Sequence, residues 1–172
     1  NTELVVAGIN QGHNTSNEIL ISGTVGAALH ARFRGVPAIA VSLTQLDSTQ
    51  HPIAACLAAL VVKKMWDGSI LKDVLLNINI PHAELEDIKG IEVTRLAQRT
   101  FADEVEEKED TRRRQQYFLV RKRTQVNVRK GTDFRAIRSN WISITPLDVN
   151  LNAMPKSTIP AEVCQNLFQE LK

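Results

Sequence analysis

The residues best suited to do chemistry fall within the first thirty positions. Asn10, Gly12 and Asn14 follow an apolar run over residues 4–9, and Ser22-Gly23-Thr24 then opens a stretch with helical spacing. An asparagine at the carboxyl end of a buried strand stands where open α/β sheets form their ligand crevices. The carboxamide oxygen of Asn10 suits a hard cation such as Mg²⁺, in company with carboxylates and water. The Asn14 amide can donate to a phosphate oxygen. Ser22 and Thr24 add hydroxyls, Gly23 and Gly26 permit close backbone approach, and the unpaired N–H groups of a helix start favour an anion. No carboxylate occupies that first turn, while Arg32 and Arg34 lie in the last turn, where they complement the carbonyl end. A plainer account uses the asparagines as turn residues and Ser22 as an ordinary helix cap. On these residues alone both accounts stay open, because short glycine motifs often occur without a ligand.

The elements that must position them can be read in order. Residues 4–9 are short, apolar and bounded by polar residues, as a buried parallel strand is. A helix over 22–34 follows, capped by Ser22, with Gly35 suited to the residue after its end and Pro37 preventing continuation. Residues 36–43 read as a second strand. Residues 51–66 read as a helix apolar around most of its circumference, and therefore well buried. Residues 74–80 form a third strand that Pro81 stops. This β-α-β-α-β order predicts a parallel sheet covered by helices. After Gly90 the texture changes: 91–96 alternates, 116–120 and 125–128 resemble the strands of a hairpin, and 141–145 is another strand. An amphipathic helix over 160–171 places Val163, Leu167, Phe168 and Leu171 on one stripe. The first strand reads as a central one, which predicts that strands on its other side are missing from this chain. One βαβ unit would occupy roughly 30 residues.

The 172 residues suffice for one domain with a substantial core. No apolar run approaches the roughly 20 residues that cross a bilayer, and no basic stretch precedes an apolar one at the start. Cys56 and Cys164 lack metal-binding spacing and read as two buried thiols in a reducing compartment. The net charge is only +2, but acidic residues crowd 103–110 and basic ones 112–114 and 121–123. Such alternating blocks mark a solvated hairpin or arm. They make nucleic-acid binding the weakest of the functional readings, since Tyr117-Phe118 offers little stacking surface. His13 reads as a solvated loop residue; His30, His51 and His82 show no ligand spacing. Asp133, in Gly-Thr-Asp, reads as a turn or cap ahead of residues 134–138, and Trp66 and Trp141 as core or interface aromatics.

Several blocks together resemble the SurE survival-protein family of metal-dependent nucleotidases. They are Leu4-Val-Val-Ala-Gly-Ile-Asn10, Gly12, Asn14, Ser22-Gly-Thr-Val-Gly-Ala-Ala28 and Gly35-Val-Pro-Ala-Ile-Ala-Val-Ser42. Leu76-Asn-Ile-Asn-Ile-Pro81, Gly90-Ile-Glu-Val-Thr-Arg95, Gly131-Thr-Asp133 and Ser143-Ile-Thr-Pro-Leu147 continue in the family's order. The likeness extends to about residue 151. It implies a three-layer Rossmann-like α/β fold, with a parallel sheet, helices on both faces and an antiparallel hairpin or arm. Residues 1–100 would be the carboxyl-terminal part of the phosphatase core, without its first strands. Residues 101–172 would supply the hairpin, a return strand and a final helix of the same domain.

The resemblance further implies that Asn10 is a metal ligand and that Asn14, Ser22, Gly23 and Thr24 bind phosphate. It implies a divalent ion, Mg or Mn, a nucleoside monophosphate substrate, a cytoplasmic setting and a homodimer or homotetramer, with neither nucleic acid nor membrane as partner. The family's metal-binding aspartate pair, and a serine that also contacts the metal, would lie upstream of residue 1. This chain departs from the family at Ser16, where glycine is common, and at Ile21, where tyrosine usually precedes Ser-Gly-Thr. Asn150 and Met154 stand where an aspartate and a histidine often lie. The fragment by itself is therefore expected to be inactive, and a non-catalytic phosphate-binding or assembly module is the alternative.

Overall fold

The computed structural model describes residues 2–44, 50–70, 73–98, 102–109, 114–122 and 129–148. Strand β1 (Val5–Gln11), helix α1 (Gly23–Phe33), strand β2 (Ala38–Leu43), helix α2 (His51–Trp66) and strand β3 (Leu75–Ile80) follow in the expected order. They continue into β4 (Ile91–Val93), β5 (Ala102–Glu109), β6 (Gln115–Lys122), α3 (Asp133–Arg138) and β7 (Ile142–Leu147). The main sheet has the order β1-β2-β3-β7-β4. The first three strands are parallel, β7 runs antiparallel to β3, and β4 lies parallel to β7.

Strand alternation explains the layers. All six residues of β2 are buried, with Ile39, Val41 and Leu43 on one face and Ala38 and Ala40 on the other. The large residues meet Ala54, Ala58, Val61 and Met65, the buried stripe of α2, together with Leu76, Ile78 and Ile80 of β3. The small residues meet Val25, Ala28 and Ala31 of α1, where alanine on both sides lets helix and sheet approach closely. Helices therefore cover both faces of a Rossmann-like sheet. Ser22 caps α1 by accepting the Val25 N–H at 3.2 Å. Gly35 closes it at φ +74°, a left-handed value that glycine adopts without penalty.

Several expectations are corrected. β1 is an edge strand of the described sheet and Val6 is half exposed, so the run over 4–9 is less buried than its composition implies. Helix α2 buries one stripe only, leaving Leu60, Trp66 and Cys56 exposed. The sheet covers a single side of it, so Trp66 is no core residue and Cys56 no buried thiol. Trp141 does pack internally: a Cβ at Gly90, φ +142°, would lie 2.8 Å from its ring. Arg32 pairs with Asp73 in the turn before β3 in addition to standing in the last turn of α1. The hairpin differs in its partners. β6 pairs antiparallel with β5, from Ala102↔Lys122 to Glu109↔Gln115, so the acidic run is itself a strand. Register places Asp103 opposite Arg121, and the Lys108 ammonium sits 5.4 Å from the Phe118 ring centre. That cross-strand cation–π contact supports a strand that hydrophobic patterning alone does not reveal. The expected strand over 125–128 and helix over 160–171, with Cys164, Asn150 and Met154, lie outside the described residues.

Candidate functional site

The loop after β1 is shaped from Gly8 onward. Pairing with β2 shifts register between Ala7 and Asn10, and the Gly8–Ile9 peptide is cis. Gly8 has φ +131°, and a Cβ there would meet the Val41 carbonyl oxygen at 2.4 Å. Only glycine fits, and the irregularity re-aims the strand's end, as bulges beside functional sites do. Asn10 lies opposite Ser42 in register. Its amide donates to the Gly12 carbonyl at 2.7 Å, which turns its oxygen towards the start of α1. The Thr24 hydroxyl donates to that oxygen at 3.2 Å. The expected cation ligand and the expected phosphate-binding helix start thus meet at the carboxyl edge of the sheet. Helix geometry leaves the first N–H groups, at Gly23 and Thr24, without intrahelical acceptors. Gly23 is exposed, and Ser22 and Thr24 are partly so.

Asn14 is placed differently from the phosphate donor expected of it. It is 6% exposed, and its amide donates to Ser42 Oγ at 2.8 Å. Its backbone N–H reaches Asn79 Oδ1 at 2.8 Å, and its carbonyl accepts from Asn77 at 2.8 Å and Asn79 at 2.9 Å. Asn14 thereby anchors the loop onto the sheet. The partners follow from alternation: Ser42, Asn77 and Asn79 occupy the α1 face of β2 and β3, one and two pleats beyond the last apolar residues there. Register extends this polar row to Ser143 and Thr145 of β7, whose hydroxyls cluster with Thr94 at 2.7 Å. Sequence reasoning passed over these residues. The signal lay in Asn-Ile-Asn and Ser-Ile-Thr, polar residues at period two inside strands buried on both faces. Buried polar groups carry partners, so such a row predicts something polar above it.

Asp133 is fully buried. Its carboxylate accepts three backbone N–H groups, from Ser16 at 2.7 Å, Ala97 at 2.8 Å and Phe134 at 2.7 Å. The cap position belongs to Thr132, and Asp133 is instead the first residue of α3, its carboxylate reaching the next N–H and two distant ones. Burial pushes its carboxyl above the usual range, against the pull of those three donors and of nearby His13. Ser16 has φ +57° and a buried hydroxyl without a partner. His13 is better held than a solvated residue: its Nδ1 lies 3.1 Å from Thr15 Oγ1 and 3.6 Å from Glu18, and its ring meets Phe134 edge-on.

Asn10 offers one neutral oxygen, and no group of three or more His, Cys, Asp or Glu is disposed to hold a metal among the described residues. These residues fit a single position in a coordination sphere and do not complete one. A cavity of about 570 Å³ lies at the other end of the sheet, against Leu4, Pro37 and Met65. An apolar one of about 490 Å³ lies between α1 and β7. Neither is lined by Asn10, Ser22 or Thr24.

Fold and site together define a Rossmann-like α/β protein whose polar loop and helix start sit at the carboxyl edge of parallel strands. The family model described as survival protein SurE matches residues 1–103. The chain is 39% identical over 149 residues to the 5'-nucleotidase SurE of Alkalilimnicola ehrlichii, a match that takes in 87% of this chain and 58% of that protein. It also superposes on the crystal structure of the SurE protein from Aquifex aeolicus with a TM-score of 0.74 at 30% identity, covering 99% of this chain and 66% of the other. The chain belongs to the SurE family. It spans 58% of the length of the relative from Alkalilimnicola ehrlichii.

Proposed function

We propose that this chain supplies the phosphate-binding part of a metal-dependent phosphomonoester hydrolase acting on nucleoside monophosphates. The observation that carries the reading is the 3.2 Å contact between Thr24 Oγ1 and Asn10 Oδ1. It joins a hard-oxygen ligand to a helix start free of carboxylates. The printed activity of the 39% identical relative supports the same reading. A bound Mg or Mn ion would polarise the phosphoryl group and lower the pKa of a bound water. Asn10 would give it one oxygen, and carboxylates from outside the described residues would give it charged ones. The chain's own part is positional and electrostatic. Ser22 and Thr24 hydroxyls and the Gly23 and Thr24 N–H groups would hold the equatorial phosphoryl oxygens as charge develops on them. Asn14 would act one step back, fixing the loop through Ser42, Asn77 and Asn79. A cytoplasmic homodimer or homotetramer, joined through the β5–β6 arm, completes the proposal.

A second reading, a phosphate-binding module without turnover, is favoured by the lack of any group of three or more His, Cys, Asp or Glu disposed to hold a metal among the described residues. Both readings share one test. Titration of the chain with inorganic phosphate, followed by amide NMR, should move the Gly23 and Thr24 resonances most. Resonances that stay still at those positions would remove the helix start from the site.

A further inference from the structure

Between Asn10 and Ser22 the chain must hold a short, irregular loop in one shape, and the second half of the molecule grips it at one atom. Asp133 Oδ2 accepts the Ser16 N–H at 2.7 Å. Asp133 Oδ1 accepts the N–H groups of Ala97 and Phe134, at 2.8 and 2.7 Å, which belong to the β4–β5 connection and to α3. One carboxylate thus divides its work: one oxygen serves its own neighbourhood, the other reaches 117 positions back to the ligand loop. Ser16 gives the loop nothing else of this strength. Its hydroxyl is buried without a partner and its backbone sits at φ +57°, a conformation a serine holds only when its surroundings impose it. The bond falls at the first residue of the 3₁₀ turn Ser16–Ile21, whose far end is the Ser22 cap of α1. Whatever fixes Ser16 therefore fixes one end of the segment that delivers Ser22 and Thr24.

We propose that Asp133 is a positioning residue for the phosphate site, clamping the loop through the Ser16 N–H so that Asn10 and the start of α1 keep their relation. The inference rests on the reading of that site as a phosphate site. Asp133 touches no expected ligand directly, so its effect must pass through Ser16.

The two-oxygen arrangement supplies a selective variant. Asp133→Asn can keep its oxygen on Ala97 and Phe134, while its NH₂ faces the Ser16 N–H as donor against donor and releases only the loop. In Asp133→Asn, hydrogen exchange at the Ser16 amide should quicken at least about tenfold, with Ala97 and Phe134 little changed. Phosphate affinity, read from the Gly23 and Thr24 resonances, should weaken about tenfold. In the intact protein the KM for a nucleoside monophosphate should rise more than kcat falls. Equal loosening of all three amides, or unchanged phosphate affinity with Ser16 released, would overturn the inference. Should that variant not fold, the wild-type titration decides: Ser16 and Ala97 must shift with the same midpoint as Gly23. A still Ser16 beside a moving Gly23 would overturn it. Phosphate that moves no resonance near Gly23 strikes the reading of the site instead. The exchange pattern then still tells whether Asp133 clamps the loop.

Discussion

Ser16 holds a left-handed backbone angle, φ +57°, around a buried hydroxyl that finds no hydrogen bond. Both features cost stability. Ser16→Gly should therefore raise stability by about 1 kcal/mol, the relief of the left-handed angle outweighing the extra freedom of an unfolded glycine. Chemical denaturation measures it, and a loss would show that Ser16 earns its place otherwise. The serine was visible in the sequence; its positive φ was not. Under the proposed function Ser22 would carry two duties, since its hydroxyl already caps α1. Ser22→Gly keeps most of the cap's worth while removing the hydroxyl, so it should leave the melting temperature nearly unchanged and weaken phosphate binding. Thr24→Ala should do likewise, each lost donor to a charged oxygen costing about 1.5–3 kcal/mol by phosphate titration. Asp133 titrates above its ordinary value of 3.8 because burial disfavours its charge. Between 3.8 and that raised midpoint the folded state binds the extra proton, so this group's contribution is full in acid and is lost as pH rises. The stability of wild type relative to Asp133→Asn should fall across that window, and a rise would refute the burial argument.

Helices and parallel strands were legible because their signals are local. Helical spacing, Ser22 before α1, Gly35 after it and Pro81 past β3 each act within a turn or two of chain. What sequence hid was partnership. The polar row of Ser42, Asn77, Asn79, Ser143 and Thr145 makes sense only once register sets β2, β3 and β7 side by side. The strand over residues 102–109 was masked by its charge, because its cross-strand partners in β6 stabilise it and hydrophobic alternation contributes little. That hairpin forms a two-stranded sheet of its own, with Val105 and Tyr117 largely exposed. Two strands alone are marginal in water, so such an arm gains from a second surface. Deleting residues 103–129 should lower the number of subunits found by light scattering while circular dichroism of the main sheet persists. An unchanged subunit number with the fold intact would take the arm out of the assembly.

At the scale of the whole molecule, the site is assembled from both halves of the chain. Asn10, Ser22 and Thr24 come from the first thirty residues, the row beneath from three strands, and the Asp133 clamp from beyond the hairpin. The described residues bring one carboxamide oxygen and several N–H and hydroxyl donors together, with no group of three or more His, Cys, Asp or Glu disposed to hold a cation. The proposed function follows from that asymmetry: this chain would position phosphate, and turnover would need carboxylates other than those of the described residues. The most direct measurement compares phosphate release from a nucleoside monophosphate, with Mg or Mn and with chelator, by the 172-residue chain and by the chain joined to the remaining segment of a full-length relative. Metal-dependent release is expected from the joined protein and none above background from the chain. Robust metal-dependent turnover by the chain alone would contradict the proposal.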